Sequence, residues 1–230
     1  MLSYLTAAIE FPPVSSALRS PDGLLAVGGD LSAQRLVAAY QQGIFPWFNP
    51  GQPILWWSPD PRMILFPENL HVSHSLARVI RKRNYEIRLD TAFAEVMKAC
   101  AEPRAGREGT WIAPAMIEAY TELHKLGVAH SIETWIDGKL AGGLYGVALG
   151  RVFYGESMFA RTSDASKIAF VYLVRQLQRW RFELIDCQMN TAHLARFGAA
   201  EISRSEFIRY LDVEVTQSPP LWRFDIDIIE

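Results

Sequence analysis

The chain has 230 residues, half of them hydrophobic and 21% charged, with 23 Lys and Arg against 25 Asp and Glu for a net charge of −2. This composition belongs to a folded globular protein and excludes disordered and fibrous classes. It also excludes a uniformly basic nucleic-acid coat, so any nucleic-acid contact must come from a local patch. Eighteen of the 23 cations are Arg, the side chain that forks onto phosphate. Cys100 and Cys187 lie too far apart in sequence to make a metal knuckle or a disulfide framework. No leader pattern and no run near the ~20 apolar residues of a membrane span occurs, so a reduced, cytoplasmic protein without a membrane partner is expected.

Residues 1–61 are dense in turn formers, including Phe11-Pro12-Pro13, Gly28-Gly29-Asp30 and Ser58-Pro59-Asp60-Pro61. One helix stands out there, opened by Asp30-Leu31-Ser32, striped by Leu36, Val37, Ala39 and Tyr40, and ended by Gly43. A small irregular N-terminal domain docked on a larger one, residues 62–230, is expected. From Arg62 onward the elements become regular. Ser73 or Ser75 caps a helix ending in Arg81-Lys82-Arg83; 85–89 reads as a strand, 91–101 as a helix, and Pro114 opens another helix that Gly127 closes.

A β meander follows. Residues 130–136 alternate, Asp137-Gly138 is a type I′ turn, 140–149 returns, and 152–159 makes a third strand. A helix over 164–180 with Ser163 as N-cap comes next. It is followed by a strand over 182–188, a helix over 191–197 capped by Gly198, a short strand at Glu201-Ile202 and a helix over 205–211. This order is α+β with a mostly antiparallel sheet, the order of a GNAT-like acyltransferase core.

Four constellations carry chemistry. In Leu184-Ile185-Asp186-Cys187-Gln188, strand alternation puts Asp186 and Gln188 on one face, about 6.6 Å apart at Cα. Two such groups are costly to bury unless they bond each other or a ligand. The pair is either a polar pair at the sheet edge or a relay in which the carboxylate orients the carboxamide, whose oxygen receives a nucleophilic amine. Glu156 is the sole charge in an apolar strand and follows Gly155, which points to a bulge or a close backbone approach. It either lies at a solvated sheet end or holds an ammonium.

Trp47, Trp56 and Trp57 either glue the small domain to the large one or offer a stacking platform worth ~1–3 kcal/mol per base. Arg78, Arg81, Lys82, Arg83 and Arg88 are either a solvated helix end or the phosphate-binding patch. The five His show no metal spacing and no catalytic triad. After strand 152–159, a CoA enzyme of this fold needs a Gly-rich pyrophosphate loop. Residues 160–167 contain no Gly, so a different acyl donor is expected.

Six strings then resemble one family: GLLAVGGDL at 23–31, GIFPWF at 43–48, WWSPDPR at 56–62, GTWI at 109–112, GESMF at 155–159 and LIDCQ at 184–188. Together they are similar to the bacterial leucyl/phenylalanyl-tRNA–protein transferases, in order, from about residue 10 to about residue 211. The resemblance implies transfer of Leu or Phe, and less well Met, from aminoacyl-tRNA to proteins beginning with Arg or Lys. That transfer marks the acceptors for the N-degron (N-end rule) pathway, with no metal and no cofactor; a monomer is expected. It places Asp186 and Gln188 at the catalytic centre with Glu156 at the aminoacyl end. Trp47 and Trp111 fall near the terminal adenosine, while Leu144, Phe153 and Met158 line the amino-acid pocket. Leu144, Leu173 and Leu177 stand where some relatives carry Met or aromatics and bear on the pocket's preference between Phe and Leu. Arg78, Arg81, Lys82 and Arg83 are the expected tRNA contact. Strict alternation puts Phe153 on the opposite face from Glu156 and Met158, so one shared pocket requires a bulge near Gly155. An ordinary N-acetyltransferase and a non-catalytic tRNA- or N-degron-binding module are the competing readings.

Overall fold

The computed structural model describes residues 2–102 and 112–225. The N-terminal region is more ordered than its turn content predicts. Strands β1 (Ser3–Leu5), β2 (Leu24–Gly28), β3 (Phe45–Pro46) and β4 (Leu55–Trp57) form a sheet in the order β1-β2-β4-β3. Strands this short, two of them rich in aromatics or Pro, carry too little alternation to be legible. The expected helix is present as α1 (Ala33–Gln41), with the Ser32 side chain accepting the Arg35 amide. Gly43, at φ +70°, turns the chain out of it, and a Cβ there would lie 2.9 Å from the Phe207 ring.

The second unit continues through β5 (Arg62–Leu65), α2 (His74–Lys82), β6 (Glu86–Leu89), α3 (Phe93–Ala101), α4 (Pro114–Lys125), β7 (Ala129–Ile136), β8 (Lys139–Leu149) and β9 (Val152–Ala160). It ends with α5 (Ala165–Arg179), β10 (Leu184–Gln188), α6 (Ala192–Ala195), β11 (Ala200–Ile202) and α7 (Arg204–Glu214). Its seven strands run β11-β5-β10-β9-β8-β7-β6, and every neighbouring pair is antiparallel except β10 with β9. This is the α+β arrangement of a GNAT-like core: a meander, a helix crossing one face, and a strand returning parallel to the last meander strand.

Alternation along these strands divides the core in two. Tyr145, Tyr154 and Leu184 face α3, α4 and the N-terminal unit, together with Tyr40, Trp56 and Tyr120. Leu144, Phe153 and Ile185 face α2 and α5 on the opposite side. Sheet membership changes between Trp57 and Arg62, while the first of these cores runs continuously from one unit into the other.

Some details differ from expectation. Ser163 does not cap α5; Asp164 occupies that position at φ +64° without a side-chain cap bond and pairs with Lys167 at 2.7 Å. The helix expected over 191–197 is a single turn, Ala192–Ala195, and Gly198 after it, at φ +97°, packs its backbone against the Asn69 carbonyl, where no Cβ fits. β5 had no reading from sequence: it is four residues between Pro61 and Pro67, buried on both faces, with an Arg at its start.

Candidate active site

The β8–β9 ladder carries the bulge that one shared pocket requires. Tyr145 pairs with Ser157 and Gly146 with Gly155, leaving Glu156 as the extra residue. One added residue resets the alternation. Phe153 and Met158 consequently face the same side as Leu144, while Glu156 swings toward the tyrosines of the other core.

A second irregularity lies opposite. Asp186 pairs with Ile64 and Gln188 with Met63, so Cys187 is bulged, and Gln188 sits at φ +61°. A non-glycine residue in the left-handed region costs about 1–3 kcal/mol and persists only where its surroundings hold it. Asp186 does so: its Oδ1 accepts the Gln188 amide at 2.9 Å.

The two bulges bring a cavity of about 320 Å³ to the end of the sheet. Leu144, Phe153, Met158, Phe170, Leu173 and Ile185 make its apolar wall; Glu156, Asp186, Gln188 and Thr191 are polar, and Trp47 and Met189 stand at its exposed lip.

Three features set its electrostatics. Gln188 Nε2 donates to Glu156 Oε1 at 2.9 Å, so the carboxylate fixes which end of the carboxamide faces it. The Tyr40 hydroxyl donates to the same oxygen at 2.7 Å, and the Tyr120 hydroxyl bonds to that of Tyr40 and lies 3.4 Å from Oε2. Burial lifts the Glu156 carboxyl from 4.5 to about 7, against the opposing hydrogen bond from Tyr40. Burial, and then the neighbouring carboxylate, push both tyrosines well above their ordinary range, so they are hydroxyl donors.

Asp186 is engaged differently from the expected relay. Its two oxygens receive Nε and Nη2 of Arg62 at 2.8 and 2.7 Å, both side chains being fully buried. Arg62 also donates to the Gly43 carbonyl and lies between the Phe45 and Phe207 rings, each centroid 4.8 Å away. Asp186 therefore orients the backbone of Gln188, and Glu156 orients its carboxamide.

Of the residues singled out from sequence, Glu156, Asp186, Gln188, Trp47, Leu144, Phe153, Met158 and Leu173 converge on this cavity. Leu177 does not line it; one turn beyond Leu173 on α5, it is buried in the core behind. Trp111 lies outside the described residues. Arg78, Arg81, Lys82 and Arg83 are exposed at the end of α2, with Arg83 in the left-handed cap position. Tyr40, Tyr120 and Arg62 were missed. The two tyrosines read as members of apolar helix stripes, and the one signal in the sequence was that a lone buried Glu156 needs donors.

In the loop before α5, the amides of Arg161 and Thr162 both donate to the Ala141 carbonyl, at 2.8 and 3.1 Å. Among the described residues, no three of His, Cys, Asp or Glu are grouped to hold a metal ion, and no helix is long and apolar enough to cross a membrane.

A family model described as leucyl/phenylalanyl-tRNA protein transferase matches residues 64–212, and one for the N-terminal domain of the same transferase matches residues 29–60. Proteins named leucyl/phenylalanyl-tRNA–protein transferase are similar along the whole length. The one from Nitrosospira multiformis is 62% identical, covering 100% of both chains, and the one from Nitrosomonas europaea is 62% identical over 92% of this chain and 90% of its own. Among solved structures, a GCN5-related N-acetyltransferase from Kribbella flavida aligns with a TM-score of 0.37 at 11% identity, covering 72% of this chain and 59% of its own.

Proposed function

From the premise that this chain belongs to the leucyl/phenylalanyl-tRNA–protein transferase family, and is therefore an aminoacyltransferase acting between tRNA and protein, we propose a specific division of labour in its site. The donor is Leu- or Phe-tRNA, with Met-tRNA used less well. The acceptor is a protein or peptide beginning with Arg or Lys, which the transfer commits to N-degron-dependent degradation. The enzyme works as a monomer in the cytoplasm, where charged tRNA is at hand, without metal or CoA.

The aminoacyl side chain enters the wall formed by Leu144, Phe153 and Met158, with Leu173 of α5 above it. Trp47 and Trp111 receive the terminal adenosine, and Arg78, Arg81, Lys82 and Arg83 hold backbone phosphates. The ester is already activated, so the protein's task is to present a neutral amine to the carbonyl carbon. An α-amino group has a pKa of ~7.7–8.0, so an appreciable fraction is neutral near pH 7. With its NH₂ end held by Glu156, Gln188 turns its oxygen toward the cavity, where it accepts a hydrogen bond from the attacking amine and eases the positive charge growing there. The C–N bond forms as the ester C–O bond breaks, and the amine's proton goes to the leaving ribose oxygen, directly or through its neighbouring hydroxyl.

The observation that carries this reading is the Glu156–Gln188 bond at the mouth of an apolar cavity. Incubating the protein with Phe-tRNA and an Arg-initiated peptide, followed by mass spectrometry, tests it. A peptide heavier by one Phe residue is expected; an unmodified peptide overturns it.

A further inference from the structure

The chain beyond α7 returns across the sheet. Asp225 and Gln176 clasp each other: the Asp225 amide donates to Gln176 Oε1 and Gln176 Nε2 donates to Asp225 Oδ2, both at 2.9 Å. This clasp sets Trp222 among aromatic rings. Its indole lies parallel to the His130 imidazole, 3.7 Å away and inclined by 5°. Trp180 and Phe182 meet it edge-on at 4.9 and 6.0 Å. His130 cannot drift, because its two nitrogens reach Asp90 Oδ2 at 2.7 Å and the Gly127 carbonyl at 3.2 Å.

The fourth ring beside Trp222 is that of Phe153, with centroids 6.1 Å apart. Phe153 is also a wall of the cavity. Its ring tip covers Gly146, where a Cβ would stand 2.5 Å from Cζ, and Gly146 is the register partner of His130. On this face the space above Gly146 and His130 is thus filled by two rings, Phe153 on the cavity side and Trp222 behind it. The sheet lies beneath them, and Trp222 occupies volume beside Phe153 into which that ring could otherwise yield.

We propose that Trp222 is a positioning residue for donor specificity: by holding Phe153 forward it sets the depth of the amino-acid pocket. The proposal rests on the reading of the Leu144–Phe153–Met158 wall as that pocket. Removing Trp222 opens room for the Phe153 ring to retreat and deepens the pocket. A pocket shaped to within a methylene discriminates by ~10–200-fold, so the deeper one favours the larger side chain.

The test is competition between equal amounts of Leu-tRNA and Phe-tRNA for one Arg-initiated peptide, read as the ratio of the two products. That ratio does not depend on how much of the enzyme is folded. Trp222→Ala is expected to raise the Phe-to-Leu product ratio by about tenfold, with Trp222→Leu intermediate and Trp222→Phe restoring most of the original value. An unchanged ratio in Trp222→Ala, alongside a changed one in Phe153→Ala, overturns the role of Trp222 and leaves the pocket standing. A ratio unmoved even by Phe153→Ala overturns the pocket assignment and the proposal with it.

Discussion

Glu156, the bulged residue of β9, and Gln188, beside the bulge at Cys187 in β10, sit 32 residues apart and meet through a 2.9 Å bond from the carboxamide to the carboxylate. Each irregularity alone would only weaken a ladder. Together they turn two polar side chains into the same opening and leave the apolar wall unbroken beside them.

Gln188→Ala removes the group that faces the attacking amine. Turnover should fall by about 10²-fold or more, as when a preorganised polar group is taken from an active site, while tRNA affinity stays the same. Single-turnover transfer from Phe-tRNA, with filter binding of the tRNA as control, measures both. Wild-type turnover in a folded Gln188→Ala leaves the tRNA's own hydroxyl as the sole assistance.

The Glu156 carboxyl titrates at about 7 in the folded protein against an ordinary 4.5. Between those values the folded state keeps a proton that the unfolded state releases, so stability falls as pH rises from about 4.5 to 7. Glu156→Gln should remove this slope: its thermal midpoint should match the wild type near pH 4 and exceed it at pH 8. Transfer should move the other way. The ionised carboxylate accepts both Tyr40 and Gln188, so wild-type turnover should climb through pH 7 more steeply than that of Glu156→Gln, which keeps only the rise from deprotonation of the acceptor amine.

Arg62→Met would leave the Asp186 carboxylate buried without its cation. Breaking one side of such a pair costs about 3–5 kcal/mol, which chemical denaturation should register. Adding Asp186→Leu should return most of that stability, since an apolar pair of similar volume fits a buried site. Transfer should stay impaired in the double variant, because the Gln188 amide then has no acceptor. Recovery of both properties together would separate Asp186 from the chemistry.

Neutralising Arg78, Arg81, Lys82 and Arg83 together should weaken tRNA binding and flatten its dependence on salt, by about 0.7–0.9 in log–log slope for each phosphate no longer neutralised. The four side chains are exposed at the end of α2, so the fold should be unaffected. An unaltered slope removes this patch from the tRNA-binding surface.

Donor choice by an apolar wall follows volume. Leu, Phe and Met should be accepted, and Val and Ile should be poorer by about tenfold or more, since a branch at Cβ is a misfit of the kind worth ~1–3 kcal/mol. Equal use of Val-tRNA and Leu-tRNA would contradict the role given to Leu144, Phe153 and Met158.

What the sequence determined was whatever depends on near neighbours. Asp137-Gly138 adopts positive φ at both positions, as its hairpin requires, and Ser32 and Ser73 cap the helices that follow them. The bulge at Glu156 was partly legible for the same reason, since Gly155 inside a strand pointed to a bulge or a close backbone approach, while the need for Phe153 and Met158 to share one face came from the family resemblance. The α+β order, and the polar residues at the ends of β9 and β10, followed from these local patterns. Tertiary structure alone decided which groups meet. Arg62 and Asp186 are 124 residues apart, and nothing in the run from Trp56 to Arg62 marks that Arg as one to be buried between two rings. Tyr40 and Tyr120 look like ordinary core residues until packing joins their hydroxyls over Glu156, and the residues around Trp222 form no pattern until the tail crosses the sheet behind Phe153. Turns and caps are governed by steric and hydrogen-bonding rules a few residues long. Buried polar contacts are instead fixed by which elements share a core, and here that core joins an N-terminal helix, a distant helix and two central strands.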